Sequence, residues 1–494
     1  MIRPIGEKKL SLAEAARLLG GEVIGDSALL FSGVVQNDND VEPGDIFVAL
    51  AGQNHDGSKF IESAKGSGAV AVICDKEAKL DSFGLAQIRV SKPREAAATL
   101  ASTFYGDPIR TMQSIGITGT NGKTTVTTLL YQIFSAIGRE SGLIGTVETR
   151  LGNDRVKSLR TTPEATELQA LAAAMRERHL RHLVMEVSSH SIAQKRILGS
   201  HFSAVGFTNL SQDHLDFHKD MESYFQAKAA LFTHEYADCA FINIDNSYGE
   251  RLFDASVIPA ISLSRHNRAA QWHFTEIHPT LSGYDFTIRG RDGILIESKT
   301  PMHGGFNLDN LLMAVAIAHH FEVDPLELAT ILPSLHGAPG RLEAIELGQR
   351  FKALVDYAHS PDAVSNVLSA AREFTTGKLI AILGCGGDRD ATKRLPMGKA
   401  LSDGSDVAIF TSDNPRSENP IEILNQMTSG LEIADPSQII ADRREAVKYA
   451  VSIAKDGDTI LLLGKGHESG QDIGGVNHDF DDRLVLAELI EAKR

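Results

Sequence analysis

Short apolar runs alternate with stretches of helical spacing along most of the chain. In the first hundred residues, Asp45-Ile-Phe-Val-Ala-Leu50 and Ala69-Val-Ala-Val-Ile-Cys74 read as strands, and Lys59–Lys65 and Ala96–Tyr105 as helices. Ser11 and Glu14 have capping-box spacing for a helix through Leu18-Leu19. Gly106-Asp107-Pro108 breaks the pattern. In the middle, Ser114-Ile-Gly-Ile117 reads as a strand, and Val126, Leu129, Leu130, Ile133, Phe134 and Ile137 recur at helical spacing. Apolar runs follow at His182–Glu186, Ala204–Phe207 and Ala240–Ile244, with a helix at Glu164–Glu177. Residues 268–299 alternate as antiparallel strands, Asn307–Phe321 reads as a helix, and Leu335–Gly340 as a linker. Strands Ala353–Tyr357, Lys378–Leu383, Val407–Phe410 and Thr459–Leu463 complete the series.

Strands alternating with helices predict an α/β protein. Three domains are expected: a small α/β unit over residues 1–107, a central doubly wound, mostly parallel sheet over 108–336, and a C-terminal Rossmann-like sheet over 337–494. The length of 494 residues is too great for a single core. A net charge of −15 argues against general binding to nucleic acid or membrane surfaces. Cys74, Cys239 and Cys385 lack pairing or metal spacing, which suggests a reducing compartment. No apolar run resembles a signal or a membrane span. The expectation is a monomeric cytoplasmic enzyme.

Between the strand at Ser114 and the helix after Lys123 lies Gly119-Thr120-Asn121-Gly122-Lys123-Thr124-Thr125. A Gly-rich turn feeding a helix N-terminus offers free N–H groups and the positive end of the helix dipole, which suit a phosphate. Lys123 adds a charge for the outer phosphates, and Thr124 a hydroxyl for magnesium. The glycines are Gly116, Gly119 and Gly122, with Ile117 where the strict P-loop pattern places glycine, so this is a variant loop.

Other constellations allow two readings each. Glu186 ends a strand, either as a magnesium ligand or as a solvated carboxylate. Asn209–His218 holds Asp213, His214, Asp216 and His218, either a metal cluster or a polar loop. Met221, Phe225, Lys228 and Phe232 fall on one helical stripe. Lys228 either snorkels to water or is desolvated, neutral and able to take up carbon dioxide as a carbamate. Asp413-Asn414-Pro415-Arg416 is either a structural turn or a clamp in which Arg416 grips a carboxylate. Gln53-Asn54-His55 lies in a polar loop that reads as a plain connection.

Gly119–Thr125, Glu186-Val-Ser-Ser-His190, Asp213-His214, Lys228, Asn307-Leu-Asp-Asn310, Gly340-Arg341, Asp356-Tyr-Ala-His359 and Gly464-Lys-Gly-His-Glu468 together resemble the Mur ligase family, in order and over essentially the whole chain. The resemblance implies an ATP-dependent amide ligase of peptidoglycan precursor synthesis that uses Mg2+. Carbamylated Lys228, Glu186 and His214 would be metal ligands. Asn307 would approach adenine, Asp356 the ribose and Arg341 the phosphates. Thr161-Thr162-Pro-Glu164, Gly384–Arg389 and Asp413–Arg416 resemble the branch that acts on UDP-N-acetylmuramoyl-L-alanyl-D-glutamate, in its form for meso-2,6-diaminopimelate rather than L-lysine. Thr161, Thr162, Ser188, Gln194 and Arg196 would contact the sugar peptide, and Gln53, Asn54 and His55 the uridine diphosphate. Arg389, Asp413, Asn414, Pro415, Arg416, Gly464 and Glu468 would line the diaminopimelate pocket. Where the family shows Asp-Ser-Arg, this chain has Asn37-Asp38-Asn39, so Asp38 takes its uracil role across a departure from the pattern. His359 is a candidate base for the incoming amine.

Two other readings stand beside this one. Folylpolyglutamate synthetase shares the ligase core, but Asp413–Arg416 and the first domain speak against it. A nucleotide switch would leave Lys228 without a purpose, and no Asn-Lys-x-Asp guanine signature occurs.

Overall fold

The computed structural model describes residues 1–6, 8–50, 56–78, 82–156, 158, 160–280, 282–433 and 438–493. Three main sheets follow one another along the chain. The first contains β1 (Glu22–Ile24), β2 (Gly33–Val35), β3 (Asp45–Val48), β4 (Ala71–Asp75) and β5 (Ala86–Val90) in the order β1-β5-β4-β3-β2. Only β1 runs antiparallel to its neighbour. The expected capping box forms: Glu14 N–H donates to Ser11 Oγ at 3.2 Å, and Ser11 N–H to the Glu14 carboxylate at 2.8 Å, opening helix α1 (Leu12–Leu19). The expected helix at Lys59–Lys65 is a 3-10 turn, Gly57–Phe60, running into a short α-helix, Ile61–Gly66. Helix α2 (Pro93–Tyr105) ends at Gly106 and Asp107, both left-handed.

Among the described residues the second sheet has eleven strands. Its parallel centre is β6 (Gln113–Thr118), β7 (Ser141–Ile144), β10 (His182–Glu186), β11 (Ala204–Phe207), β12 (Ala240–Asn243) and β13 (Ala260–Ser264). These lie in the order β7-β10-β6-β11-β12-β13. At one edge β8 (Thr149–Leu151) and β9 (Asp154–Val156) add antiparallel strands. At the other edge β14 (Trp272–Thr280) pairs parallel to β13 and opens a meander through β15 (Gly283–Arg289) and β16 (Leu295–Thr300). The alternation of residues 268–299 thus extends the same sheet. Helices α3 (Lys123–Ala136) and α6 (Gly305–His320) pack on one face through Val126, Leu130, Ile133, Leu311 and Val315. The other face is covered by α4 (Ala165–Glu177) and by Tyr224 and Phe225 of α5 (Met221–Ala229). Burial on both faces explains why the central strands are continuous apolar runs.

The third sheet, β17 (Glu343–Ala344), β18 (Lys352–Asp356), β19 (Leu379–Leu383), β20 (Val407–Phe410) and β21 (Thr459–Leu463), has the order β17-β18-β21-β19-β20. It is parallel apart from β17. A fully buried ion pair ties its carboxyl ends together. Arg443 meets Asp482 at 2.6 Å and donates to the carbonyls of Leu463 at 2.9 Å and Ser412 at 3.3 Å.

Candidate active site

The turn after β6 needs its glycines. At Gly119 (φ +146°) a Cβ would lie 1.9 Å from Thr208 Oγ1, and at Gly122 (φ +87°) 2.2 Å from Asn310 Oδ1. Gly122 opens α3, so Lys123 and Thr124 occupy its first turn. The Lys123 ammonium folds back onto the loop, donating to the carbonyls of Gly119 at 2.9 Å and Thr120 at 2.8 Å. Burial lowers its pKa, with Glu186 the leading charge opposing that shift.

Glu186, at the end of β10, is fully buried. Thr124 Oγ1 lies 3.1 Å from its Oε2, Thr146 Oγ1 3.0 Å from the same oxygen, and Thr146 N–H donates to Oε1 at 2.7 Å. Gly145 permits this approach: a Cβ there would lie 2.6 Å from Oε1. All three contacts come from neutral donors. Among the described residues no three His, Cys, Asp or Glu side chains converge as a metal cage. Glu186 and Thr124 offer a carboxylate and a hydroxyl instead. That set fits Mg2+, which completes its shell with water and phosphate oxygens.

Lys228 is 1 % exposed; its Nζ donates to Gly119 O at 2.8 Å and lies 4.7 Å from the Tyr224 ring centroid. Burial, then the nearby Lys123, push its pKa well below the ordinary lysine value. The expected stripe is corrected in two places. The helix closes at Ala229, so Phe232 lies beyond it, and the buried residues beside Lys228 are Tyr224 and Phe225, while Met221 is half-exposed. His214 (φ +56°) stacks edge-on to His190, with ring centroids 4.8 Å apart. Burial drops the His214 imidazole to about 3.

Asp213 joins the central sheet to the third. His359 Nε2 lies 3.7 Å from its Oδ2, His214 Nε2 3.7 Å from the same oxygen, and Lys393 Nζ 3.9 Å from Oδ1. Burial works to raise this carboxyl, and its cationic neighbours outweigh it, holding the value near 2. Burial lowers the His359 imidazole, so Lys393 is the standing positive partner. Sequence reading missed Lys393, which sits in a polar stretch without periodicity.

A cleft of about 420 Å3 opens beside the loop, lined by Asn121, Gly122, Thr125, Asn310, Arg341 and Asp356. The guanidinium of Arg341 stacks over Tyr357 at 4.7 Å, and Asp356 accepts the N–H groups of Leu342 and Ala358, each at 2.7 Å. Asn307 does not line this cleft. It faces an adjoining cavity of about 1010 Å3, with Nδ2 donating to His303 O at 2.8 Å, while Asn310, one turn later, takes the cleft position. Arg341 borders both spaces.

On the other side of Glu186, Thr162 Oγ1 donates to the Glu186 carbonyl at 2.9 Å and accepts Ser188 N–H at 3.2 Å. Arg196 donates to Thr162 O at 3.1 Å and Gln194 Oε1 at 2.7 Å, and meets Glu164 at 3.1 Å. Thr161 and Thr146 are joined at 3.0 Å. These five sequence-selected residues therefore form one patch. Asp38 sits half-buried in a 3-10 turn, Asp38–Asp40. Gln53, Asn54 and His55 lie outside the described residues.

In the third sheet, Asn414 Nδ2 donates to Glu468 at 2.8 Å, and Asn414 Oδ1 accepts Asp472 N–H at 2.9 Å. Fully buried Lys465, which sequence reading passed over inside its own motif, approaches both Asn414 and Glu468. Gly464 (φ +106°) lies against Asp413: a Cβ would sit 2.6 Å from its Oδ2. Burial raises the Asp413 carboxyl. Pro415 is buried, and Arg416 (φ +52°) donates to Gly387 O at 2.7 Å. Exposed Arg389 and half-buried Arg416 both flank Gly386.

The fold and this arrangement define a ligase of the Mur type. Residues 117–318 match the Mur ligase middle domain, 340–466 the Mur ligase glutamate ligase domain, and 36–105 the Mur ligase family catalytic domain. The chain belongs to the Mur ligase family. It is similar to the UDP-N-acetylmuramoyl-L-alanyl-D-glutamate--2,6-diaminopimelate ligase of Streptomyces coelicolor, 44% identical over 99% of this chain and 98% of that one. The Clostridium botulinum ligase of the same name is 40% identical, over 91% and 93%. A solved structure of a ligase of that name superposes with a TM-score of 0.67 at 31% identity, covering 98% and 99% of the two chains. A MurF ligase from Thermotoga maritima in complex with ADP shares the fold, with a TM-score of 0.63 at 19% identity over 93% and 97%.

Proposed function

We propose that this chain uses ATP to join meso-2,6-diaminopimelate to the D-glutamyl carboxylate of UDP-N-acetylmuramoyl-L-alanyl-D-glutamate. The observation that carries this reading is the meeting at Asp213 of the phosphate-loop region with the third sheet, whose Asp413–Arg416 loop has the diaminopimelate form. The names of the full-length relatives support it. We take the domains to be 1–107 for the UDP-sugar, 108–336 for ATP and 337–494 for the amino acid. ATP and a UDP-sugar as substrates fit a cytoplasmic enzyme.

The carboxylate attacks the γ-phosphorus of ATP, releasing ADP and forming an acyl phosphate. Diaminopimelate's amine then attacks the acyl carbon, expelling phosphate and forming the amide. Both partners in the first step are anionic, so electrostatic preorganisation is the main task. Lys123, swung from the Gly119 and Thr120 carbonyls, and the α3 N-terminus offset that repulsion. Thr124 and Glu186 would hold one Mg2+, and carbamylated Lys228, Glu186 and His214 a second; bound there, the cations would supply further neutralisation. Asp356 and Arg341 place the ribose and phosphates, and Asn310 beside Asn307 places the base. Thr161, Thr162, Ser188, Gln194 and Arg196 hold the sugar peptide. Arg416 and Arg389 grip the distal carboxylate of diaminopimelate, and Asp413 and Glu468 its ammonium. Neutral His359 is available to take the amine's proton. Closing the third sheet on the second shields the acyl phosphate from water.

Phosphate release from ATP in the presence of the UDP-muramyl dipeptide, with diaminopimelate or with L-lysine, tests the reading. Release that depends on diaminopimelate is expected. Dependence on lysine assigns the other amino acid, and no dipeptide-dependent release removes the assignment.

A further inference from the structure

The hydroxyl of Thr146 has one proton and two acceptors in reach. Glu186 Oε2 lies 3.0 Å away and Thr161 Oγ1 3.0 Å away. A hydroxyl donates once, so the two bonds exclude each other unless Thr161 supplies the second proton. Thr161 likewise has one proton. When it donates to Thr146, Thr146 donates to Glu186, and a lone pair of Oε2 is occupied. When Thr161 donates to an arriving acceptor, its own lone pair becomes the partner for Thr146, and Oε2 is released. The Thr146 amide is independent of this exchange, because its N–H stays on Oε1 at 2.7 Å. Gly145 keeps the carboxylate pressed against this turn, since no side chain there competes for the space.

Glu186 Oε2 also accepts a second hydroxyl, that of Thr124 at the phosphate loop, while Thr161 is the chain neighbour of Thr162 in the sugar-peptide patch. Thr146 therefore bonds to one residue of each of the two ligand positions, Thr161 and Glu186. We infer that Thr146 is a positioning residue that couples the sugar-peptide site to the cation site, its hydroxyl leaving Glu186 when a substrate acceptor takes the Thr161 proton. No covalent bond changes; two hydroxyl protons rotate, that of Thr161 from Thr146 to the substrate acceptor and that of Thr146 from Glu186 to Thr161. Coupling between two sites is reciprocal, so the cation tightens the sugar peptide by the same factor. The inference rests on the assignment of Thr161 and Glu186 given above.

The test is a pair of binding equilibria without turnover. Mn2+ affinity, read by the paramagnetic signal of the free ion, is measured with and without UDP-muramyl dipeptide in the wild type, Thr146→Val and Thr146→Ser. In the wild type the dipeptide is expected to tighten Mn2+ by roughly fivefold or more, the ordinary range for such coupling. Valine keeps the shape and the amide bond, so both ligands bind with the coupling factor close to one, and serine restores it. A valine variant that binds both ligands with the wild-type factor overturns the inference and leaves the ligase assignment intact. A wild type that binds no dipeptide overturns both. Should the valine variant fail to fold, a serine variant lacking the coupling overturns the inference by itself.

Discussion

Lys228 Nζ and the carbonyl oxygen of Gly119 meet at 2.8 Å across 109 residues of sequence. The same carbonyl accepts Lys123 Nζ at 2.9 Å, so two buried amines share one acceptor. Two adjacent ammonium ions in a desolvated site repel, and Lys228, pushed well below the ordinary lysine value by burial and Lys123 against the opposing charge of Asp213, is the one that gives up its proton. A neutral Lys228 is the form that takes up carbon dioxide. Lys228→Ala is expected to lower the rate of phosphate release by about 100-fold or more, a typical loss for one electrostatic element of a site. Small carboxylates such as acetate or formate should restore part of it. A variant with full activity would sink the carbamate.

Arg416 sits in the left-handed region with its guanidinium directed to Gly387 O and along Gly386. A planar fork held this way is not replaced by a lysine point charge. Arg416→Lys should raise the KM for diaminopimelate roughly 10- to 100-fold, the worth of one bidentate charged contact, and leave the KM for ATP near its original value. Steady-state kinetics with each substrate varied in turn would reveal an equal loss of both, which contradicts the clamp.

His182 opens β10, its ring stacked on Phe134 at 4.3 Å, and among the described residues neither ring nitrogen has a hydrogen-bond partner. Burial, reinforced by Arg139 and Arg181, drops its pKa to about 4. An unfolded histidine titrates near 6.5, so between these values the unfolded chain binds the extra proton. The stability this ring contributes is complete above about pH 6.5 and is lost as pH falls toward 4, amounting to about 2 kcal/mol at pH 5. In His182→Phe the fall of melting temperature from pH 8 to pH 5 should therefore be smaller than in the wild type. Superimposable pH profiles would exclude this residue as a source of acid sensitivity.

Asp482→Asn leaves the Arg443 guanidinium buried without its countercharge. Removing one partner of a buried pair costs about 3–5 kcal/mol. Denaturant titration should show that loss, and the double change Arg443→Met with Asp482→Leu should recover much of it. Equal instability of the single and double variants would mean that the hydrogen bonds to Leu463 and Ser412 matter more than the charge.

The sheets were legible because their strands are buried on both faces and so read as apolar runs: β10 covers the run His182–Glu186 itself. The β7–β8–β9 edge was not, because Gly142, Gly145 and Gly152 interrupt any alternation. Lys228 stood out as a cation among apolar neighbours, though helical spacing alone added Phe232, which lies past the helix end. Asn307 and Asn310 share a helix face in the sequence, and only the packing of α6 decides which one borders the loop cleft. Thr146, Lys393 and Arg443 act through partners far away in the chain, which no local spacing encodes.

The cross-sheet contacts of Asp213 carry a further consequence for the working enzyme. With His214 and His359 neutral, Lys393 and Asp213 are a cation and an anion on opposite sides of the junction, largely shielded where they meet. Once separated, both become accessible to counterions, and at physiological ionic strength their attraction fades over about 8 Å. Under the closure proposed above, potassium and chloride compete with the approach of the third sheet far more than with its docked state. Turnover should fall with added salt when approach limits the rate, making the concentration of simple electrolyte in the cell a setting on how often the ligase commits to its acyl phosphate.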